Sequence, residues 1–265
     1  VRMAKASVRH VVVTGASAGI GRALALAYAQ PDTVLGIVGR NETQLELTAA
    51  ACRARGAKVI VGIVNVREAD PIRVWLHCFD DEYPIDLLIA NAGVASTLSS
   101  ASDWEDLDRI TTVVDTNFYG AMHTVLPIVE RMRIRKHGRI AAVSSLAALR
   151  GMAISPAYCA SKSAIKAYAD SVRPLLKRDG VGVSVILPGF VKTSMSDVFP
   201  GDKPFMWTAD QAAAFIRRRL DAGRAEIAFP GLLAFGMRIL TVLPIRLADA
   251  ILDKLSYLPG KEDVN

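Results

Sequence analysis

Short β-branched runs alternate along the chain with longer stretches whose apolar residues recur at helical spacing. The runs at 10–15, 33–39, 57–64, 86–90, 138–143, 181–187 and 225–229 predict strands. Helices are predicted between them over 22–30, 42–55, 67–79, 103–136, 157–177 and 208–222. Asn is a poor helix former, so a break in the 103–136 helix near Asn117 and Gly120 is expected as a kink whose freed carbonyl can bind water. Pro174 is expected to disturb the last turn of its helix, and Thr208 to cap the helix that follows it. Strict alternation of strand and helix implies an α/β fold with a parallel sheet and right-handed crossovers.

Composition adds bounds. The 265 residues are 51% hydrophobic, which suits one sizeable domain with a buried sheet. Within it, 10–195 is read as the cofactor-binding and catalytic core, 194–225 as a substrate loop and helix, and 230–258 as an apolar C-terminal extension. The net charge of +6 is modest, and its dense basic runs, 131–136 and 217–219, read as helix surface, with no nucleic-acid partner expected. Three dispersed cysteines, Cys52, Cys78 and Cys159, and four histidines imply a reducing compartment and no structural metal. Residues 1–10 are polar, without the apolar region of a signal peptide, and a cytoplasmic location is expected.

Candidate chemistry gathers where strands end. Tyr158 and Lys162 stand four residues apart on a predicted helix and therefore share a face. A phenol titrates near 10, so a tyrosine exchanging protons near neutrality needs a fixed positive neighbour, and Lys162 is expected to lower its pKa. After the first strand, Gly15, Gly19 and Gly21 form a turn at a helix start, where missing side chains let backbone amides approach a pyrophosphate. Ser17 and Ile20 belong to the same turn. Arg40 follows the second strand where an NAD-binding fold carries an acid; a guanidinium there pairs with a 2′-phosphate, so NADP(H) is preferred over NAD(H). Asn91, Ala92 and Gly93 end the fourth strand, and Ser144 and Ser145 the fifth.

This ordered set (T-G-x-x-x-G-x-G, N-A-G, Asn, Ser, Y-x-x-x-K, P-G, Thr, over about 10–195) resembles the classical short-chain dehydrogenase/reductase family. The resemblance implies a three-layer, doubly wound Rossmann-like fold with a seven-stranded parallel sheet, and NAD(P)-dependent oxidoreduction. It also implies that Asn117, Ser145 rather than Ser144, Tyr158 and Lys162 are catalytic, and that Lys162 holds the nicotinamide ribose. Asn65 and Val66 would sit beside the adenine, Asn91 to Gly93 would support the cofactor, and Pro188, Gly189, Val191 and Thr193 would flank the carboxamide. Asn65 departs from the family's usual Asp, and Ala18 from the basic residue of many NADP-preferring members.

Tyr158 is then the acid, Ser145 polarises a carbonyl, and Asn117 holds a water that resupplies the proton. The segment 194–207, with Met195, Phe199, Phe205, Met206 and Trp207, suits covering an apolar substrate, a small carbonyl or alcohol compound. A sugar or polyol substrate and a non-catalytic dinucleotide sensor are the competing readings. The tail 231–258 is apolar but broken by Arg238, Pro244 and Arg246, too short in its runs to span a bilayer. A helix packed on a partner subunit, a lid over an apolar pocket and peripheral membrane contact are its three readings. By family habit a homo-oligomer, dimer or tetramer, is expected.

Overall fold

The computed structural model describes residues 9–100, 102–199 and 202–254. The polar N-terminal segment before Arg9, Pro200 and Gly201 of the apolar loop, and the end of the tail at 255–258 lie outside the described residues.

Seven strands form one parallel sheet: β1 (His10–Thr14), β2 (Val34–Gly39), β3 (Lys58–Ile63), β4 (Leu87–Ala90), β5 (Arg139–Val143), β6 (Gly182–Pro188) and β7 (Glu226–Phe229). Their order is β3-β2-β1-β4-β5-β6-β7, with Val11 registered against Leu35 on one side and Leu87 on the other. Period-two alternation sends Val11 and Val13 into one core and Val12 into the other, so each central strand is apolar on both faces. Helices α1 (Gly19–Tyr28), α2 (Glu42–Arg53) and, further on, Ala209–Asp221 cover the first face through Leu24, Leu45 and Ile216. On the second face lie α3 (Ala69–Glu82), α5 (Gly120–Arg135) and α6 (Pro156–Arg178), joined by the tail helices. The expected three-layer, doubly wound Rossmann-like sheet is what the chain forms.

Local departures from the sequence pattern each have a cause. The helix expected from residue 103 starts later, as α4 (Leu107–Val114), because the Asp106 carboxylate accepts the Arg109 amide at 2.8 Å while Asp103 accepts Ser99 instead. Helix α3 likewise starts at Ala69, since Asn65 Oδ1 takes the Arg67 amide and its carbonyl the Glu68 amide, forming a turn first. The break near Asn117 is a π-helical segment, Asp115–Tyr119, joining α4 to α5, closed where the Gly120 amide reaches the Asp115 carbonyl. Pro174 does not end α6, which continues to Arg178; Leu176 is buried in the core and holds the final turn in place.

Past β6, Ser194–Asp197 is the short helix α7, Ala209–Asp221 is α8, and the tail forms α9 (Gly231–Val242) and α10 (Ile245–Lys254). Thr208 caps α8 through a reciprocal pair with Gln211, as its sequence suggested. Among the described residues, no helix is long and apolar enough to cross a membrane.

Candidate active site

The sheet order reverses direction between β1 and β4, and loops leaving these strands part to open a cleft at their carboxyl ends. A cavity of about 820 Å³ occupies it. Its floor is the glycine turn. Gly15 and Gly19 adopt φ of +68° and +54°, which L side chains rarely do. A Cβ on Gly21 would stand 2.2 Å from the Gly15 carbonyl, and one on Gly15 2.8 Å from Ala92 Cα. The turn is clamped to β4 by Asn91, whose Nδ2 donates to the carbonyls of Thr14 (2.9 Å) and Gly15 (3.3 Å). Thr14 Oγ1 accepts the amides of Asn91 and Ala92 in return.

Arg40 stands exposed at the cleft margin, and among the described residues its guanidinium has no partner. Asn65 and Val66 line the same end, although the Asn65 side chain is occupied by the Arg67 amide and Glu68. Thr193 faces the glycine turn from across the cleft, its methyl within 3.0 Å of where a Gly19 Cβ would lie. Its hydroxyl caps α7, accepting the Ser196 amide and donating to Val191 O, which leaves it a lone pair to accept with and no proton to donate.

At the centre, α6 brings Tyr158 and Lys162 to the wall of the cleft, both buried. The two serines after β5 divide: Ser144 donates to the Lys162 carbonyl at 2.6 Å and is tied to the helix backbone, whereas Ser145 lines the cleft on the Tyr158 side, donating to Pro188 O at 3.4 Å and accepting the Ala147 amide at 3.1 Å. Lys162 Nζ donates to Val143 O at 3.0 Å and lies 5.7 Å from the Tyr158 ring centre. Desolvation pulls the Lys162 ammonium down to about 8 and pushes the Tyr158 phenol up to about 12, with the nearby Ser145 hydroxyl opposing the latter. The expectation that Lys162 lowers the phenol's pKa is therefore corrected: in this geometry burial outweighs any help from the ammonium, which is turned toward the β5 carbonyl.

Every residue expected at the site, from Gly15 to Thr193, lines the cleft except Asn117. The Asn117 amide is wholly buried, accepting the Val94 amide at 2.8 Å and donating to Val94 O and Ser161 Oγ. It ties the loop after β4 to α6, while its neighbour Thr116 reaches the cavity. Helix α8, expected with the substrate segment, lines no part of the cleft and packs against α1.

One contribution was not foreseen, and two that the sequence did offer, Phe199 of the apolar segment and the tail with a lid among its readings, take definite places. The buried carboxylate of Glu105 accepts the Ala157 amide at 2.7 Å and so caps α6 one residue before Tyr158, while its other oxygen has no hydrogen-bond partner among the described residues. Nothing in the acidic run around it marks it out from solvated charge. Phe199 packs edge-on to the Tyr158 ring at 5.6 Å. Helices α9 and α10 wall the far end of the cleft with Leu233, Met237, Leu240, Leu243 and Leu252, whereas Phe235, Val242 and Ile245 face outward. The apolar excess of the tail was visible in the sequence; its direction was not.

A family model described as short chain dehydrogenase matches residues 9–203. The chain belongs to the short-chain dehydrogenase family. It is similar to an uncharacterized oxidoreductase of Myxococcus xanthus, 36% identical over 96% of this chain and 100% of the relative. It also resembles 11-beta-hydroxysteroid dehydrogenase-like 2 of Arabidopsis thaliana, 28% identical over 94% of this chain and 82% of that protein. The crystal structure of actinorhodin polyketide ketoreductase with NADPH shares the fold, with a TM-score of 0.75 at 22% identity over 88% of this chain and 99% of that one. This short-chain dehydrogenase is thus an oxidoreductase, with its strand-end motifs gathered in one cleft.

The pKa of Lys162 has a consequence for stability. An unfolded lysine titrates near 10.5, so between about 8 and 10.5 the unfolded chain binds more protons and stability rises with pH; below 8 the full cost, about 3 kcal/mol, is present. Replacing Lys162 with Met in the ligand-free protein is expected to raise the unfolding free energy at pH 7, measured by urea titration, by about 1–3 kcal/mol after allowing for the lost bond to Val143 O. The gain should shrink as the pH passes 8, and a variant less stable at pH 7 would contradict it.

Proposed function

We propose that this dehydrogenase reduces a carbonyl compound with an apolar body, using NADP(H), and catalyses the reverse oxidation of the secondary alcohol. The observation that carries this reading is the corner where the buried Tyr158 phenol, with Ser145 and Lys162 in the same cleft wall, meets a cleft whose far walls are aliphatic.

The cleft fits a nicotinamide dinucleotide: Gly15 and Gly21 lie so close to Asn91, Ala92 and the turn's own main chain that no side chain fits, which leaves peptide groups as the floor, and Arg40, without a partner among the described residues, stands at the margin. The turn from Gly15 to Gly21 would hold the pyrophosphate, Arg40 the 2′-phosphate, Asn65 and Val66 the adenine, and Lys162 the nicotinamide ribose. Pro188, Gly189 and Val191 would flank the carboxamide end, with Asn91 to Gly93 supporting the turn. The bound dinucleotide supplies the hydride. Negative charge then develops on the carbonyl oxygen, which Ser145 stabilises by donating a hydrogen bond and Tyr158 neutralises by donating its proton. A phenol held near 12 stays protonated at neutral pH, which suits the reductive direction. Asn117 contributes through position: its amide ties the π-helical segment to α6 and to the loop after β4, and the main chain of that segment would hold a resupplying water.

The aliphatic far wall disfavours a sugar or polyol, whose hydroxyls would lose water without partners there. The intact corner of Ser145, Tyr158 and Lys162 favours turnover over a sensor that only binds. Exposed Leu126 and Leu175 on α5 and α6 support a homo-oligomer through these helices. A second reading concerns the outer face of the tail: exposed Phe235, Val242 and Ile245, flanked by exposed Arg246, favour contact with an anionic membrane surface. The purified protein is then expected to co-sediment with anionic vesicles and not with zwitterionic ones, and its absence from both pellets would remove this reading.

Tyr158→Phe should lower carbonyl reduction by about 10²–10⁴-fold while leaving the NADPH dissociation constant nearly unchanged; near-normal turnover in the variant would overturn the assignment. Arg40→Ala should weaken NADPH by roughly 10- to 150-fold, the worth of a charge-assisted hydrogen bond, without affecting NADH. Equal losses for both dinucleotides, measured by fluorescence titration, would refute the 2′-phosphate role.

A further inference from the structure

Glycine inside a helix costs about 1 kcal/mol relative to alanine, so each such position calls for a physical reason. At the other helix-interior glycines the reason is steric. A Cβ on Gly21 would meet the Gly15 carbonyl at 2.2 Å, and one on Gly120, at the head of α5, would meet Val66 Cγ2 at 2.7 Å. Gly236 stands in the middle of α9, and a Cβ there would meet no atom within 4 Å. Close packing therefore does not account for it, nor does backbone conformation, since its φ lies outside the left-handed range in which glycine is favoured.

Its surroundings supply a different reason. One flank of α9 is docked on the core through Ala234, Met237 and Leu240, all buried. An adjoining flank carries Leu232 and Gly236 one turn apart, with Leu243 two turns further on, just past the end of α9; all three line the cleft that also contains Tyr158, Leu232 and Gly236 at its solvent-exposed margin. Leu232 precedes Gly236 along this stripe and Ile239 follows it, so the glycine makes a notch in the apolar rim of the cleft. The α9 and α10 residues lining the cleft are all apolar, and they offer nothing to hydrogen-bond a polar substituent.

Building on the proposed carbonyl reduction, we propose that Gly236 is a specificity-determining residue: the notch it leaves admits the distal part of an extended aliphatic substrate body, whose carbonyl lies at Tyr158. The α9 wall then sets how long a substrate the enzyme takes. Hydride and proton still go to the carbonyl as above; the notch contributes only to binding and selection.

The test compares wild type with Gly236→Ala and Gly236→Leu on methyl ketones from 2-butanone to 2-dodecanone, following NADPH oxidation. Wild-type kcat/KM is expected to rise with chain length. Because a single misplaced methylene in an apolar pocket is worth about tenfold or more, Gly236→Leu should lower the ratio of kcat/KM for 2-dodecanone to that for 2-butanone by at least about tenfold, with Gly236→Ala between. A ratio unchanged in Gly236→Leu overturns the proposal. Helix propensity favours both replacements, so neither should melt below wild type, and unfolding is thereby separated from loss of selectivity.

Turnover is not needed for the second readout. Binding of the apolar fluorophore 1-anilinonaphthalene-8-sulfonate to the ligand-free protein, and its displacement by 2-dodecanone, should both weaken by at least about tenfold in Gly236→Leu. If wild type reduced none of the ketones yet the variant lost this binding, the carbonyl-reductase reading would fall and the notch would stand. Unaltered binding and displacement would remove the notch whatever the kinetics showed.

Discussion

A lysine ammonium taken out of water at the end of a β-strand is the constraint on which the rest of this structure turns. Lys162 is nearly wholly buried and has one backbone carbonyl, that of Val143, for a protein partner. Such a group is costly to hold, and it is held because its own helix is fastened at the same point: the Lys162 carbonyl accepts from Ser144, the residue that follows Val143. Strand β5 and helix α6 thus grip each other through one residue's side chain and main chain. The register of that grip leaves Ser145, one position further, in the cleft lining with its hydroxyl on Pro188 O, while the Ser144 hydroxyl is spent on α6.

The second determinant is how closely the chain approaches itself at the switch in strand order. The glycine turn and the end of β4 are separated by less than a methyl group's clearance, and Asn91 spends its amide joining them. Side chains are excluded from this floor by contact between backbones, leaving peptide groups as its surface. In a parallel sheet with helices on both faces, the strand ends are where polar main chain can gather without disturbing either core.

Much of this was legible in the sequence. Strand and helix alternation, the glycine spacing and the Tyr158–Lys162 interval depend on near neighbours, and the chain carries them openly. What stayed hidden depends on long-range placement. The sign of the net effect on Tyr158 needed the burial of its ring and the aim of Lys162 toward Val143, neither written in a four-residue spacing. Asn117 could be seen to break a helix, but not to spend its amide on Val94 and Ser161. The tail's apolar residues could be counted, yet the same residues suit a subunit interface, a lid or a lipid surface until the path of α9 is known. Helix α8 was assigned to the substrate side by its place after the variable loop, whereas its apolar stripe belongs to the α1 face.

Glu105 ties the geometry of the loop after β4 to that of the turn carrying Tyr158. Its carboxylate receives the amide at the start of α6 across 52 positions of sequence, from a segment whose earlier residues, Val94 and Ala95, border the substrate end of the cleft. Asn117 makes a second tie between that loop and the same helix. A shift of the loop is mechanically transmitted to the helix that carries Tyr158, so under the proposed function substrate choice and catalytic rate would not be separable traits along this stretch of chain. Selectivity can drift more freely on the α9 side, where neither tie exists.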